Sequence, residues 1–204
     1  KNNNLDSISK FIKIKYIEIL SYFNESIRNQ DCFKIERIDN IPSSSTILIG
    51  HAYGSPLTAT DRLKKGEDFL APKVIKFLDE TNDKNVEKVI FTGDVFFKPD
   101  KKKWQQLYKM YSNRFEIVVA PGNHDVGYGE NNIYRKIFDK NVLKSTLYPY
   151  SFTSSGFQII VGDNTIGKTF FQKKLYTLIH KQTKLPIILA IHHVPVEELI
   201  NIGN

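Results

Sequence analysis

Residues that can bind metal ions follow one apolar segment after another along this sequence. In chain order they are His51, Tyr53, Asp94, Asn123, His124, Asp125, His192 and His193. Imidazole nitrogens together with carboxylate and carboxamide oxygens can bind Mn²⁺, Fe, Zn²⁺ or related ions. Two such ions about 3.5–4 Å apart can hold a phosphate group and activate water. These residue types therefore indicate a centre for hard-to-borderline metal ions.

Short apolar runs in front of these residues predict buried strands. The runs are Thr46–Ile49, Val89–Phe91, Phe115–Val119, Phe157–Val161 and Ile187–Ile191. Ligands in open α/β sheets bind at the carboxyl ends of the strands, so we expect the polar residues to meet at one edge. Gly93 and Gly122 stand beside them, where a residue without Cβ lets the backbone turn sharply close to an ion.

Helices are predicted between the strands, near Glu67–Glu80, Trp104–Tyr111, Ile133–Phe138 and Thr169–His180. Ser151–Thr153 is expected to form a hairpin with the strand from Phe157, through a turn at Ser155-Gly156. Strands that alternate with helices predict an α/β fold.

The first 40 residues differ from the rest of the chain. Apolar residues recur at helical spacing between Leu5 and Asn29, with lysines interleaved. Residues 1–40 are therefore predicted to be an N-terminal amphipathic helix and connecting segment, and residues 41–204 the main domain. The helix could make peripheral contact with a membrane surface, but packing on the domain is the interpretation we favour.

Composition limits the partners. The formal net charge of +7 favours anionic partners such as a phosphorylated substrate, nucleic acid or a membrane surface. A solvated basic surface without a specific partner is the interpretation we favour. No run of aromatic and basic residues marks a nucleic-acid track. A single cysteine, Cys32, excludes an intrachain disulfide and favours a reducing compartment, so a cytoplasmic location is expected.

Gly93-Asp94 and Gly122–Asp125 (GNHD) together resemble the calcineurin-like metallophosphoesterase family. The family pattern runs D-x-H, GDxx(D/N), GNH(D/E), a histidine and then GHxH, and the resemblance covers about residues 46–195. It implies an α/β four-layer sandwich, in which two packed sheets are flanked by helices. It also implies a hydrolase that cleaves a phosphate ester by metal-activated water and uses two divalent ions.

The resemblance implies a role for each matched residue. Asp94 would bridge the two ions, and Asn123 would bind the second ion and the substrate through its amide. His124 would contact the phosphate oxygens or protonate the leaving group, and Asp125 would orient His124.

His192 and His193 are alternatives for the next ligand of the second ion. An ungapped comparison with the family segment favours His192, whereas the spacing of the following proline favours His193. We favour His192.

Three departures from the family pattern bear on the site. His51-Ala52-Tyr53 replaces D-x-H, so His51 could ligate as a neutral imidazole, and Tyr53 could ligate or contact substrate through its oxygen. Phe97 replaces the Asp or Asn that supports the catalytic histidine, so this support must come from elsewhere. No GHxH occurs before Asn204. Either the motif lies beyond that residue and supplies two further ligands, or the site is open and holds one ion or none.

These departures motivate a second hypothesis. The domain would keep the fold but use a degenerate metal site to bind a phosphorylated ligand or a partner without turnover. With the first site degenerate, it could hold one ion instead of two. Retention of the whole GNHD cluster favours the enzyme.

Overall fold

The computed structural model describes residues 41–82, 84–127, 132–143, 147–165, 175, 177–179 and 185–193. The predicted N-terminal helix lies outside these residues, and so does most of the segment predicted to be helical at 169–180. In the described part of the chain, no helix is long and apolar enough to cross a membrane.

Three parallel strands form the first sheet, in the order β1 (Ser45–Ile49), β2 (Val86–Thr92) and β3 (Glu116–Ala120). The central strand β2 is buried along most of its length, which explains its nearly continuous apolar sequence. The pairing of β1 with β2 extends to Ile49 opposite Phe91, and the pairing of β2 with β3 extends to Thr92 opposite Ala120. The carboxyl ends of all three strands therefore reach the same edge, as predicted.

The second sheet contains β4 (Tyr150–Ser154), β5 (Phe157–Val161) and β6 (Ile187–Ala190). β4 and β5 form the predicted antiparallel hairpin, and its turn places both Ser155 and Gly156 at positive φ. β6 pairs with β5 in parallel, which brings the residues after β6 to the same end of the sheet as those after β5.

Five α-helices are described: α1 (Pro56–Lys64), α2 (Pro72–Glu80), α3 (Lys101–Tyr111), α4 (Asn123–Val126) and α5 (Ile133–Phe138), the last running into a π-helical turn at Asp139–Leu143. The helix that was predicted from Glu67 begins only at Pro72. Ala71 is extended, with ψ 140°, because the ring of Pro72 disfavours a helical residue before it. α3 begins earlier than predicted because Asp100 caps it by accepting a hydrogen bond from the Lys103 N–H at 2.8 Å.

One apolar core joins the two sheets and α3. Thr46 on β1 and Ser154 on β4 form a hydrogen bond of 2.7 Å between their hydroxyls, and the Tyr148 hydroxyl donates to the carbonyl of Val119. On β5, Ile160 belongs to a second cluster with Leu175, in the described part of the predicted last helix. The fold is therefore an α/β arrangement of two sheets and packed helices.

Candidate metal centre

The Asp94 carboxylate is the centre of the site. Asp94 follows β2 and is only 2% exposed. His192 Nε2 lies 3.3 Å from Asp94 Oδ1, and His51 Nδ1 lies 3.6 Å from Asp94 Oδ2. Among the described residues, one ligand atom from each of these three side chains lies within 4.8 Å of the other two. Two imidazoles and a carboxylate from three strand ends thus converge on one point.

The orientation of His192 suits a metal ligand. Its Nδ1 lies 3.1 Å from the carbonyl oxygen of Thr92, and because a carbonyl can only accept, Nδ1 carries the proton. In the neutral imidazole, Nε2 then presents a lone pair to the Asp94 carboxylate. Two acceptors this close are compatible only with a proton or a metal ion between them. The donor set therefore fits a divalent cation.

The electrostatics of the pair agree with this arrangement. Burial alone would lower the pKa of His192, but the hydrogen bond and the charge of Asp94 raise it above the usual value. Burial alone would raise the pKa of Asp94, yet hydrogen bonds from His192 and from the His124 N–H hold it below its usual value. Each group therefore favours its charged form because of its neighbours, and a cation at this position would replace the proton of His192.

His124 lies beside Asp94, at the start of α4. Its backbone N–H donates to Asp94 Oδ1 at 3.0 Å, and its ring Nδ1 lies 2.9 Å from the carbonyl oxygen of Phe97. The Phe97 ring stacks on the His124 ring at a centroid distance of 5.2 Å, and the Tyr53 ring lies 5.3 Å away. His124 is thus fixed through Nδ1, so Nε2 is the nitrogen available to a substrate.

A family model for calcineurin-like phosphoesterases matches residues 67–202. The chain belongs to the calcineurin-like phosphoesterase family. The match includes Asp94, the GNHD segment and both candidate histidines, but it begins after His51 and Tyr53. A search of curated proteins gave no match. The metal-dependent phosphoesterase activity expected from the motifs is therefore supported at the level of the family.

Phe97 supports His124 although it departs from the family's Asp or Asn. Its main-chain carbonyl accepts a hydrogen bond from His124 Nδ1, and its ring adds a stacking contact. The sequence showed that support had to come from elsewhere but could not show that the same residue supplies it.

Asp125 was expected to orient His124, and in the part of the chain that the structure describes its carboxylate contacts backbone N–H groups rather than the His124 ring. Asp125 is fully buried, and its carboxylate accepts backbone N–H groups from Val95 at 2.9 Å, Phe96 at 3.4 Å and Gly122 at 2.9 Å. Burial raises its pKa to about 7 despite these bonds. Asp125 therefore joins the loop after β2 to the loop after β3, and its role in orienting His124 stays a prediction.

The remaining predicted residues lie around this centre. Asn123 is half-buried and immediately precedes the N–H that contacts Asp94. His193 is exposed; its ring packs edge-on against His192 at 4.7 Å, and it is not part of the three-residue group. Burial and the neighbouring His192 lower the pKa of His193. The structure thus places His192, rather than His193, beside Asp94.

Tyr53 is a hydrogen-bond donor to the centre. Its hydroxyl lies 3.4 Å from Asp94 Oδ2. Burial and the nearby Asp94 charge raise the pKa of this phenol to about 12. Tyr53 therefore keeps its proton near neutral pH and presents a hydroxyl rather than a phenolate.

From the sequence, Asn164 lies at a strand end near the expected metal centre, where a turn residue is the favoured interpretation. Its side-chain amide donates to the His193 carbonyl at 2.8 Å and accepts from the His193 N–H at 3.3 Å. Asn164 therefore fixes the backbone directly after His192. Only its place at a strand end could have indicated this role.

Gly93 lies directly against the His192 ring. Gly93 has φ +91°, and a Cβ there would lie 2.3 Å from His192 Nδ1. Gly93→Ala should displace the His192 ring and lower the affinity for Zn²⁺ by about tenfold or more, measured by competition with a chromogenic chelator. Gly66→Ala is the matched control, because Gly66 also has positive φ but no atom within 4 Å of the added Cβ. Equal affinity in the two variants would contradict the placement of His192.

Proposed function

We propose that this chain hydrolyses phosphate esters with water activated by a divalent ion held by His51, Asp94 and His192. The observation that carries the proposal is the orientation of His192, whose Nδ1 binds the Thr92 carbonyl while Nε2 faces the Asp94 carboxylate. Mn²⁺, Fe²⁺ and Zn²⁺ are the candidate ions, since imidazole and carboxylate suit all three. A second ion that uses Asn123 remains a prediction.

When bound, the ion would lower the pKa of a water molecule and neutralise charge on the phosphate group. Asp94 balances the charge of the ion from a buried position. The Tyr53 hydroxyl donates to Oδ2 of this carboxylate, and the His124 N–H donates to Oδ1. Together the two hydrogen bonds fix the orientation of the carboxylate. The chain thus supplies a rigid carboxylate before any substrate arrives.

His124 would act on the substrate itself. Its Nε2 points away from the Phe97 carbonyl and, when protonated, can donate to a phosphate oxygen or transfer a proton to the leaving oxygen. The stacked Phe97 ring and the buried Tyr53 ring restrict the imidazole to one orientation. Positioning of this kind lowers the entropic cost of reaching the transition state.

The His124→Ala variant tests this role. We expect the kcat for p-nitrophenyl phosphate or its bis-ester to fall on the order of a hundredfold, while metal affinity stays unchanged because His124 is not in the three-residue group. The assay uses the full chain with Mn²⁺, Zn²⁺ or EDTA. Unchanged kcat would remove His124 from the mechanism.

The rival function is a binding domain without turnover. The position of His51 favours this binding function. The His51 side chain is 60% exposed, and its Nδ1 lies 3.6 Å from the Asp94 carboxylate, farther than the 3.3 Å of His192 Nε2. In that case metal and inorganic phosphate would bind, but neither ester would be hydrolysed with any of the ions. Preference for the mono-ester or the bis-ester would define the substrate class of an active enzyme.

We propose further that the complete domain is a four-layer sandwich. The shared core between the sheets supports this, as does the packing of Leu175 and Leu178 against Ile160 on the other face of β5.

A further inference from the structure

One side chain from α1, Arg62, binds the loop that carries His51 and Tyr53. Its guanidinium donates to the carbonyl of Tyr53, to that of Leu70 at 2.9 Å and to that of Phe69 at 3.4 Å. One planar group thus joins the metal-binding loop to the segment before α2. A guanidinium can do this because its five N–H groups form a rigid fork.

The surroundings of Arg62 indicate that this contact is its main role. Ala59 is the one residue that α1 buries, so the helix contributes little apolar packing. No carboxylate forms an ion pair with Arg62 among the residues that the structure describes. Because its hydrogen bonds go to main-chain carbonyls and not to a carboxylate, Arg62 holds the backbone of two segments in place.

The loop itself needs such support. His51 has φ +46°, a conformation that residues with a Cβ adopt at a cost. A turn hydrogen bond closes the loop from the Gly54 N–H to the His51 carbonyl at 2.8 Å, and the Ala71 N–H donates to the Ala52 carbonyl at 2.7 Å. Arg62 adds the contact at Tyr53, the residue whose hydroxyl reaches Asp94.

We propose that Arg62 is a positioning residue that, by holding the loop at Tyr53, keeps His51 against Asp94 and so maintains the affinity of the metal centre. The inference rests on the proposed function, because it assumes that His51 is a ligand. Arg62 lies outside the residues that match the family motifs, and the family match begins after it, at residue 67.

The test is Co²⁺ binding to the full chain, followed by absorption in the visible range. Arg62→Met should weaken Co²⁺ binding by about tenfold. Arg62→Lys should weaken it less, because the ammonium still donates hydrogen bonds, although it lacks the planar fork that reaches all three carbonyls. Arg114→Met is the matched control. Arg114 also donates to a main-chain carbonyl, that of Thr81 at 2.7 Å, but it has no contact with the site among the described residues.

A double-mutant cycle with His51→Ala separates positioning from general destabilisation. If Arg62 acts through His51, adding Arg62→Met to His51→Ala should lower the affinity little further. An equal loss in both backgrounds, or in Arg62→Met and Arg114→Met alike, would overturn the inference and leave the proposed function intact. Failure of the wild-type chain to bind Co²⁺ would overturn both.

Discussion

Asp94→Asn is expected to lower kcat/KM for a phosphate ester by at least about a thousandfold, equivalent to roughly 4 kcal/mol of transition-state stabilisation. The substitution keeps the size of the side chain but removes the charge that balances the metal ion. It also replaces one carboxylate oxygen by an amide NH₂, which would then face either the Nε2 of His192 or the Nδ1 of His51. Hydrolysis measured with saturating Mn²⁺ or Zn²⁺ checks this expectation.

Asp79→Asn is the control for this prediction. Asp79 is a carboxylate that accepts a hydrogen bond from the Tyr111 hydroxyl at 3.2 Å, and it lies outside the metal centre. Its activity should stay near that of the wild type. If Asp94→Asn kept wild-type activity at the same metal occupancy, Asp94 could not be the central ligand.

Asp125→Ala is expected to lower the free energy of unfolding by roughly 3 kcal/mol or more, with loss of activity. The three buried N–H groups of Val95, Phe96 and Gly122 would lose their acceptor, and each unsatisfied buried donor costs about 1–3 kcal/mol. The two loops that carry Asp94 and His124 would then separate. Urea unfolding followed by fluorescence of the single tryptophan measures the loss.

Asp125→Asn distinguishes lost hydrogen bonds from lost packing. It fills the same volume and keeps one carbonyl oxygen as an acceptor, so its loss should be smaller than that of Asp125→Ala. Equal stability of Asp125→Ala and the wild-type chain would show that Asp125 does not join the loops.

The positions of the main strands could be predicted because buried parallel strands are nearly continuous apolar runs. Thr46–Ile49, Val89–Phe91 and Phe115–Val119 all fall on observed strands, with ends that differ by a few residues. The convergence of Asp94 and His192 follows from this topology, because both residues come after strands whose carboxyl ends reach the site.

Features that depend on backbone contacts could not be predicted. α1 was missed because it buries only Ala59 and so has no apolar periodicity. The support of His124 by the Phe97 carbonyl, and the hold of Asn164 on the backbone of His193, use main-chain groups that every residue possesses. Sequence patterns identify side chains, whereas these contacts depend on where the loops meet.

The structure also clarifies the departure at His51. In the family pattern an aspartate would stand there, and the structure still places a potential ligand atom of this residue near Asp94. An imidazole removes one negative charge from the site, which should favour a borderline ion such as Zn²⁺ over a hard ion. The change is therefore compatible with an active centre of altered metal preference.

The most direct test is to titrate metal-free full-length protein with Mn²⁺ or Zn²⁺ and to measure occupancy and hydrolysis of bis(p-nitrophenyl) phosphate and the mono-ester in the same samples. We predict that the rate of hydrolysis of at least one ester rises in proportion to occupancy, saturates with it and is lost in Asp94→Asn. A rate that stays at the level of the metal-free protein for both esters while the site fills would contradict the enzyme and favour the binding domain.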